Sequence, residues 1–195
     1  MFKLSILILT TPRRVNTLFP SLLNSLLNQI GDRIDIEVLG LFDNKKRSIG
    51  EKRNNLLQIA NGEYLVFIDD DDKISDDYIK SIMDAINNNP NTDCIVFDCY
   101  ATFDKSWKVT IKYSKDFGYW HAGEIWTAKP SHTMVWKSSI AKKHLFKHIS
   151  YKEEIDWIEE ICKDIKIETR IDKVLYYYEH SGKISESAKP SKGEV

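Results

Sequence analysis

Four consecutive aspartates, Asp69, Asp70, Asp71 and Asp72, follow the apolar run Leu65-Val66-Phe67-Ile68. A run of this length reads as a strand buried on both faces. Carboxylates crowded at its carboxyl end repel one another strongly when partly withdrawn from water, unless a cation sits among them. Open α/β sheets bind ligands in the crevice beyond their strand ends, where these acids would lie. Oxygen donors at this density suit Mg²⁺ or Mn²⁺, which take one or two carboxylates together with substrate phosphates. The two-residue period of an extended chain puts Asp69 and Asp71 on one side and Asp70 on the other. The only basic residue next to them in sequence is Lys73. A helix start at Ser75-Asp76-Asp77 is the competing explanation, but it does not account for acids that begin at the strand end.

The elements that must hold these acids can be read along the chain. At 195 residues, 42% hydrophobic and 29% charged, the sequence has material for a substantial core. Its net charge of −1 gives no overall field for nucleic acid or membrane. Residues 4–9 form a first strand, and Leu18, Leu22, Leu23, Leu26, Leu27 and Ile30 return to one helical face ended by Gly31. A strand over 34–42, a helix over 48–60 and the acidic strand follow. A helix with Tyr78, Ile79, Ile82, Met83 and Ile86 on one side then leads into a strand from Cys94. This alternation predicts a parallel sheet with right-handed crossovers.

After Tyr100 the pattern changes. Trp107, Val109, Ile111 and Tyr113 alternate with polar residues, as in a half-buried antiparallel strand. An aromatic loop over 117–126 holds Trp120, His121 and Trp126, which could stack a sugar or another flat acceptor, or simply pack. Beyond it we expect a strand near 133–136 and a helix over 139–146. A further helix over 153–164 would bury Ile155, Ile158, Ile161, Cys162 and Ile165, and a last strand would cover 174–178. Three cysteines without metal spacing read as free thiols of a reducing compartment. The amino-terminal run reads as a strand rather than a signal peptide, and no apolar stretch reaches the ~20 residues that cross a bilayer, so a cytoplasmic protein is expected.

Over residues 48–72 the chain resembles the family 2 glycosyltransferases of GT-A fold. The resemblance lies in Gly50 followed by Arg53-Asn54, in Ala60-Asn61-Gly62-Glu63-Tyr64, and in the acidic strand end. The spacing from Gly50 to Arg53 is one residue shorter than the family's common form. The resemblance implies a mixed α/β sheet forming one GT-A domain over 1–182. Residues 1–100 would be the nucleotide-sugar half and 101–182 the acceptor and catalytic half, with a polar tail at 183–195. It implies a nucleoside-diphosphate sugar, first of all a UDP-sugar, held with Mn²⁺ or Mg²⁺, and transfer to an acceptor hydroxyl with inversion.

Site residues follow from the same resemblance. Thr10, Thr11, Pro12, Asp43, Arg53, Asp69 and Asp70 would contact the donor. Asp43 stands where the family usually shows two acids, but here Asn44 and Lys45 follow it. Asp71, Asp69 and a late histidine, His180, would hold the metal. His132 opens a segment ending at Lys137 and Ala141 on the acceptor side. The family's catalytic carboxylate maps onto Glu154 by alignment, with Asp156 preferred for its shorter reach. On a helix the two project about 200° apart, so only one can face the donor. An acidic solvent face with Glu159 and Glu160 is the plainer alternative. The acceptor stays open among glycan or glycoconjugate, protein and a hydroxylated base in DNA. Two other readings compete. A nucleotidyltransferase would show a glycine-rich loop after the first strand, where Thr10-Thr11-Pro12-Arg13-Arg14 has no glycine. A non-catalytic binding module would have no need of the acids.

Overall fold

The computed structural model describes residues 2–104 and 106–180, the His180 side chain excepted. The expected polar tail lies outside the described residues. β1 (Leu4–Thr10), α1 (Leu18–Ile30), β2 (Ile36–Phe42), α2 (Ile49–Ile59) and β3 (Tyr64–Asp69) come first. β4 (Lys73–Ile74), α3 (Tyr78–Asn88), β5 (Cys94–Phe103) and β6 (Trp107–Tyr113) follow. The remainder is β7 (Trp120–Ala122), β8 (Ile125–Ala128), β9 (Val135–Lys137), α4 (Ser138–Ala141), α5 (Glu153–Ile161), a 3₁₀ turn (Cys162–Asp164) and β10 (Glu168–His180).

One mixed sheet carries strands from both halves, in the order β2-β1-β3-β9-β5-β6-β8-β7. β1 pairs in parallel with β2 and β3, which brings Thr10 level with Phe42 and Leu9 level with Asp69. These three strand ends therefore open onto one edge, the crevice expected for a ligand. The parallel run stops at β9, which is antiparallel to both β3 and β5. β10 lies along β5 in parallel and turns β4 antiparallel against itself, so Tyr176 pairs with Ile74 beside the acids.

The central strands are apolar on both faces because both faces are covered. Leu4, Ile6, Leu7 and Ile8 are fully buried, as are Leu65 and Val66. α2 is started by Ser48, whose Oγ accepts from Glu51 N at 3.2 Å. Gly50 lets the loop before α5 press against that helix: a Cβ there would sit 1.8 Å from Lys147 O.

Four expectations need correction. The helix expected over 139–146 ends at Ala141, because Phe146 is drawn into the core and Asn54 takes up its backbone groups. The helix over 153–164 ends at Ile161 and tightens into the 3₁₀ turn. Ile155 faces outward at 46% exposure, and Trp157 fills the core in its place. The last strand is far longer than 174–178, since its first half pairs with β5 along residues that carry no apolar run.

Candidate active site

A cavity of about 940 Å³ opens at the carboxyl ends of β1 and β3. All four aspartates line it, together with Thr11, Arg14, Arg53, His132, Glu153 and Glu154. Both acidic segments of the sequence thus meet in one space, although α5 begins more than eighty residues after β3 ends.

The aspartates divide inward and outward, but not along an extended strand: β3 ends at Asp69, and Asp70 and Asp71 lie in a turn closed by Asp72 N donating to Asp69 O at 3.2 Å. Asp70 and Asp72 turn inward, at 3% and 5% exposure, whereas Asp69 and Asp71 stand more open. Their counter-charges come from distant arginines. Lys73, the sequence neighbour, pairs instead with Glu179 at the surface. Arg14, in the loop after β1, spans two acids: Nη1 donates to Asp70 Oδ1 at 2.8 Å and Nη2 reaches Asp71 Oδ2 at 2.7 Å. This planar fork suits two adjacent carboxylates. Sequence reading passed over Arg14, since it adjoins a second arginine in a loop and nothing local marks it.

Arg53, expected to offer its planar fork toward phosphate or the acidic motif, meets the acidic motif; it is buried on α2, packed 5.0 Å from the Phe67 ring centroid and 5.7 Å from that of Phe146. Its Nη2 donates to Asp69 Oδ1 at 3.2 Å and its Nε to Glu153 Oε1 at 3.3 Å. His132 Nε2 lies 3.4 Å from Asp69 Oδ2, which makes His132 a neighbour of the donor acids.

Electrostatics follow this wiring. Burial would raise Asp69, but Arg53 and His132 outweigh it and hold the group well below the usual carboxylate range. Burial pushes Asp71 up to about 6 against Arg14, and Asp69 and Asp70 add to the rise. Burial also raises Asp70, against the opposing effects of Thr10 and Arg14. Asp72 is raised well above its ordinary value by burial and by Asp69 and Asp71, even though Tyr176 Oη donates to it at 2.7 Å.

The fit to a divalent ion can be judged from these groups. Among the described residues, no three His, Cys, Asp or Glu side chains converge to enclose an ion. Asp69 and Asp71 can supply the one or two carboxylates that Mg²⁺ or Mn²⁺ takes when phosphates complete its shell. Thr11 Oγ1, Arg53 Nη1 and His132 Nδ1 are buried without a hydrogen-bond partner among the described residues. All three residues line the cavity, so a phosphate- or hydroxyl-bearing ligand could satisfy them. The side chain of His180, the third expected metal ligand, lies outside the described residues.

The other expected donor contacts are distributed unevenly. Thr11 lines the cavity; Thr10 is buried behind it, and Pro12 is exposed and does not line the cavity. Asp43 follows β2 and is engaged by one backbone amide and two cations: the Lys45 backbone N–H donates at 3.0 Å, Arg47 Nε donates at 3.1 Å, and Lys52 Nζ lies at 3.5 Å. Burial would raise Asp43, but these partners hold it below its ordinary value. Lys45, Arg47 and Lys52, rather than Asp43, line the cavity.

On the catalytic side, the phase of α5 separates the acids. Glu153 is buried against Arg53, and burial raises it. Glu154 lines the cavity. Asp156 does not line it; its side chain is 54% exposed and meets Lys147 Nζ at 2.5 Å. Of the two acids expected as the base, Glu154 therefore lines the cavity and Asp156 does not, as their helical separation of about 200° allows. Trp120, His121 and Trp126 line the far wall, where Trp126 packs edge-on to Trp107 and His121 at 5.1 and 5.6 Å between centroids.

Comparison with known proteins bears on the fold and the family. Among curated proteins, none matches the chain in sequence. In three dimensions it is similar to S. aureus TarS 1–349 in complex with UDP-GlcNAc, at 16% identity and a TM-score of 0.66, covering 100% of this chain and 62% of that one. The UDP complex of the same TarS segment gives 16% identity and 0.63, covering 93% and 61%. HddC from Yersinia pseudotuberculosis gives 14% identity and 0.54, covering 90% and 92%. The chain thus spans about three fifths of the TarS segment it matches, and at these identities the likeness establishes the fold, a mixed sheet of the GT-A type. The family model for glycosyl transferase family 2 matches residues 38–150, from within β2 to just before α5. The chain belongs to glycosyl transferase family 2.

Proposed function

We propose that the chain transfers a sugar from a nucleoside-diphosphate sugar, first of all a UDP-sugar, to an acceptor hydroxyl with inversion and with help from Mn²⁺ or Mg²⁺. The observation that carries this reading is the meeting of Asp69 to Asp72 with Glu154 across one cavity. Family membership supports the transferase chemistry. The UDP-GlcNAc named in the TarS complex puts that donor first in a panel.

Each step falls to a named group. Lys45, Arg47 and Lys52 offer cationic donors around the nucleoside end, and Thr11 offers a hydroxyl. Asp69 and Asp71 would hold the divalent ion, which when bound supplies positive charge to the departing diphosphate. Glu154 accepts the proton of the acceptor hydroxyl as its oxygen forms a bond to the anomeric carbon. The bond from that carbon to the diphosphate breaks in the same displacement, and the nucleoside diphosphate leaves with the electron pair. Attack from the face opposite the leaving group inverts the centre. Trp120, His121 and Trp126 offer flat surfaces on the acceptor side.

The test is calorimetry of UDP with Mn²⁺ and with EDTA, followed by UDP release from a panel of nucleotide sugars. Metal-dependent UDP binding and slow hydrolysis of one donor are expected. Equal UDP affinity in EDTA and Mn²⁺ would remove the metal from the account, and no affinity in either would remove the donor site.

A further inference from the structure

β3 reaches the site with one of its sides unpaired. β9 is three residues long and pairs with β3 only at Tyr64 and Leu65, so the ladder stops there on that side. The backbone groups further along must find other partners. Phe67 N–H donates to His132 O at 3.4 Å. Asp69 N–H, two residues later, donates to the hydroxyl oxygen of Tyr176 at 3.1 Å.

Tyr176 comes from the far end of the chain. From Ile171 to Tyr176 β10 advances five residues while its partner β5 advances two, from Phe97 to Cys99. Such bulges re-aim side chains beside functional sites. Tyr176 is 1% exposed beneath the acidic turn, where its Oη also donates to Asp72 Oδ2 at 2.7 Å. Glu179 N–H donates to Asp72 Oδ1 at 3.3 Å, so β10 engages both oxygens of Asp72. Asp72 N–H closes the turn onto Asp69 O at 3.2 Å. One phenol thus bonds the first and the last aspartate of the run.

We propose that Tyr176 is a positioning residue of the donor site: its hydroxyl pins both ends of the acidic turn, so that Asp69 and Asp71 meet the ion and the diphosphate in one fixed geometry. The inference rests on the transferase reading and deepens it. The four aspartates thereby divide by task. Asp70 is buried under Arg14 and Asp72 is held by β10, which leaves Asp69 and Asp71 with the more open carboxylates. Mg²⁺ in particular tolerates little displacement of an oxygen ligand, so a turn free to shift binds it less well. Tyr176 does not line the cavity, and it acts only through the turn.

The test is Tyr176→Phe, which removes the hydroxyl and keeps the buried ring, beside Asp72→Asn, the double variant and Ile82→Val. Ile82 is fully buried on α3 and does not line the cavity, so its truncation lowers stability alone. Calorimetry of UDP in Mn²⁺ is expected to show a loss of roughly tenfold for Tyr176→Phe. The double variant should bind no more weakly than the weaker single variant, because both changes cut one linkage. Ile82→Val should keep its UDP affinity while its melting temperature falls. In steady-state rates Tyr176→Phe should raise the donor KM and leave the acceptor KM unchanged. Full UDP affinity in Tyr176→Phe, additive losses in the double variant, or an equal loss in Ile82→Val would overturn the proposal. An unaltered chain without UDP affinity in Mn²⁺ would overturn the donor-site reading itself, and the proposal with it, so the two failures are distinguishable.

Discussion

Arg53 Nε donates to Glu153 Oε1 at 3.3 Å while its Nη2 holds Asp69 at 3.2 Å, so one buried guanidinium ties the start of α5 to the end of β3. The helix that presents Glu154 is thereby fixed relative to the acids of the donor side. Removing Glu153 leaves Arg53 with half its pairing in a site that water reaches poorly. Glu153→Ala is expected to cost about 2–4 kcal/mol of folding stability, and Glu153→Gln less, because the amide can still accept. Urea unfolding of the two variants checks this; equal stability of both with the unaltered chain would contradict it.

Asp70 and Asp71 should fail differently. Asp70 is buried under Arg14, so Asp70→Asn is expected to lower the melting temperature while donor affinity changes less. Asp71 is more open, so Asp71→Asn should weaken UDP binding in Mn²⁺ by at least about tenfold, or ~1.4 kcal/mol. Calorimetry and thermal melting on the pair distinguish them. A larger affinity loss in Asp70→Asn would reverse the assignment.

The raised carboxylates set a pH dependence. Asp71 sits at about 6 in the folded chain, above its ordinary value, and Asp70, Asp72 and Glu153 are raised in the same direction. A raised acid binds its proton more tightly when folded. Its contribution is complete below about pH 4 and is lost as pH rises through about 6. The metal-free chain should therefore be more stable at pH 5 than at pH 7, by about 1–2 kcal/mol, with Mn²⁺ recovering the difference at pH 7. Denaturant titration in EDTA at the two pH values measures this, and greater stability at pH 7 would contradict it.

Trp120 stands 58% exposed in the acceptor wall, so its loss should be felt by the acceptor rather than by the fold. Trp120→Ala is expected to raise the acceptor KM and to change stability by no more than about 0.5 kcal/mol. Donor binding should stay unchanged. An unchanged acceptor KM would remove Trp120 from the acceptor site.

The sequence showed most where local pattern and tertiary demand agree. Leu65 to Ile68 followed by four acids could be read as a strand end, because burial on both faces leaves a continuous apolar run. The separation of Glu154 from Asp156 was legible as a helical angle, but which of them faces inward depends on how α5 sits on α2, which Arg53 and Glu153 decide. Arg14 could not be found in the sequence, since its role depends on the register of β1 against β3. Asp43 was read as a donor contact, but the Lys45 backbone N–H and Arg47 from its own loop and Lys52 from α2 already engage it, and the last of these is not visible in local sequence. β10 was read short, since Glu168 to Ile171 take their strand from β5 and carry no apolar alternation of their own.

The central claim is that Glu154, not Asp156, takes the acceptor proton in a transfer that starts from the aspartate-lined donor site. Glu154→Gln and Asp156→Asn, assayed side by side for UDP release and for product configuration by proton NMR, test it most directly. The account predicts a turnover loss of ~10²–10⁴-fold in Glu154→Gln with UDP affinity retained, near-full turnover in Asp156→Asn, and an inverted product. Full turnover in Glu154→Gln, or retention of configuration at the anomeric carbon, would contradict it.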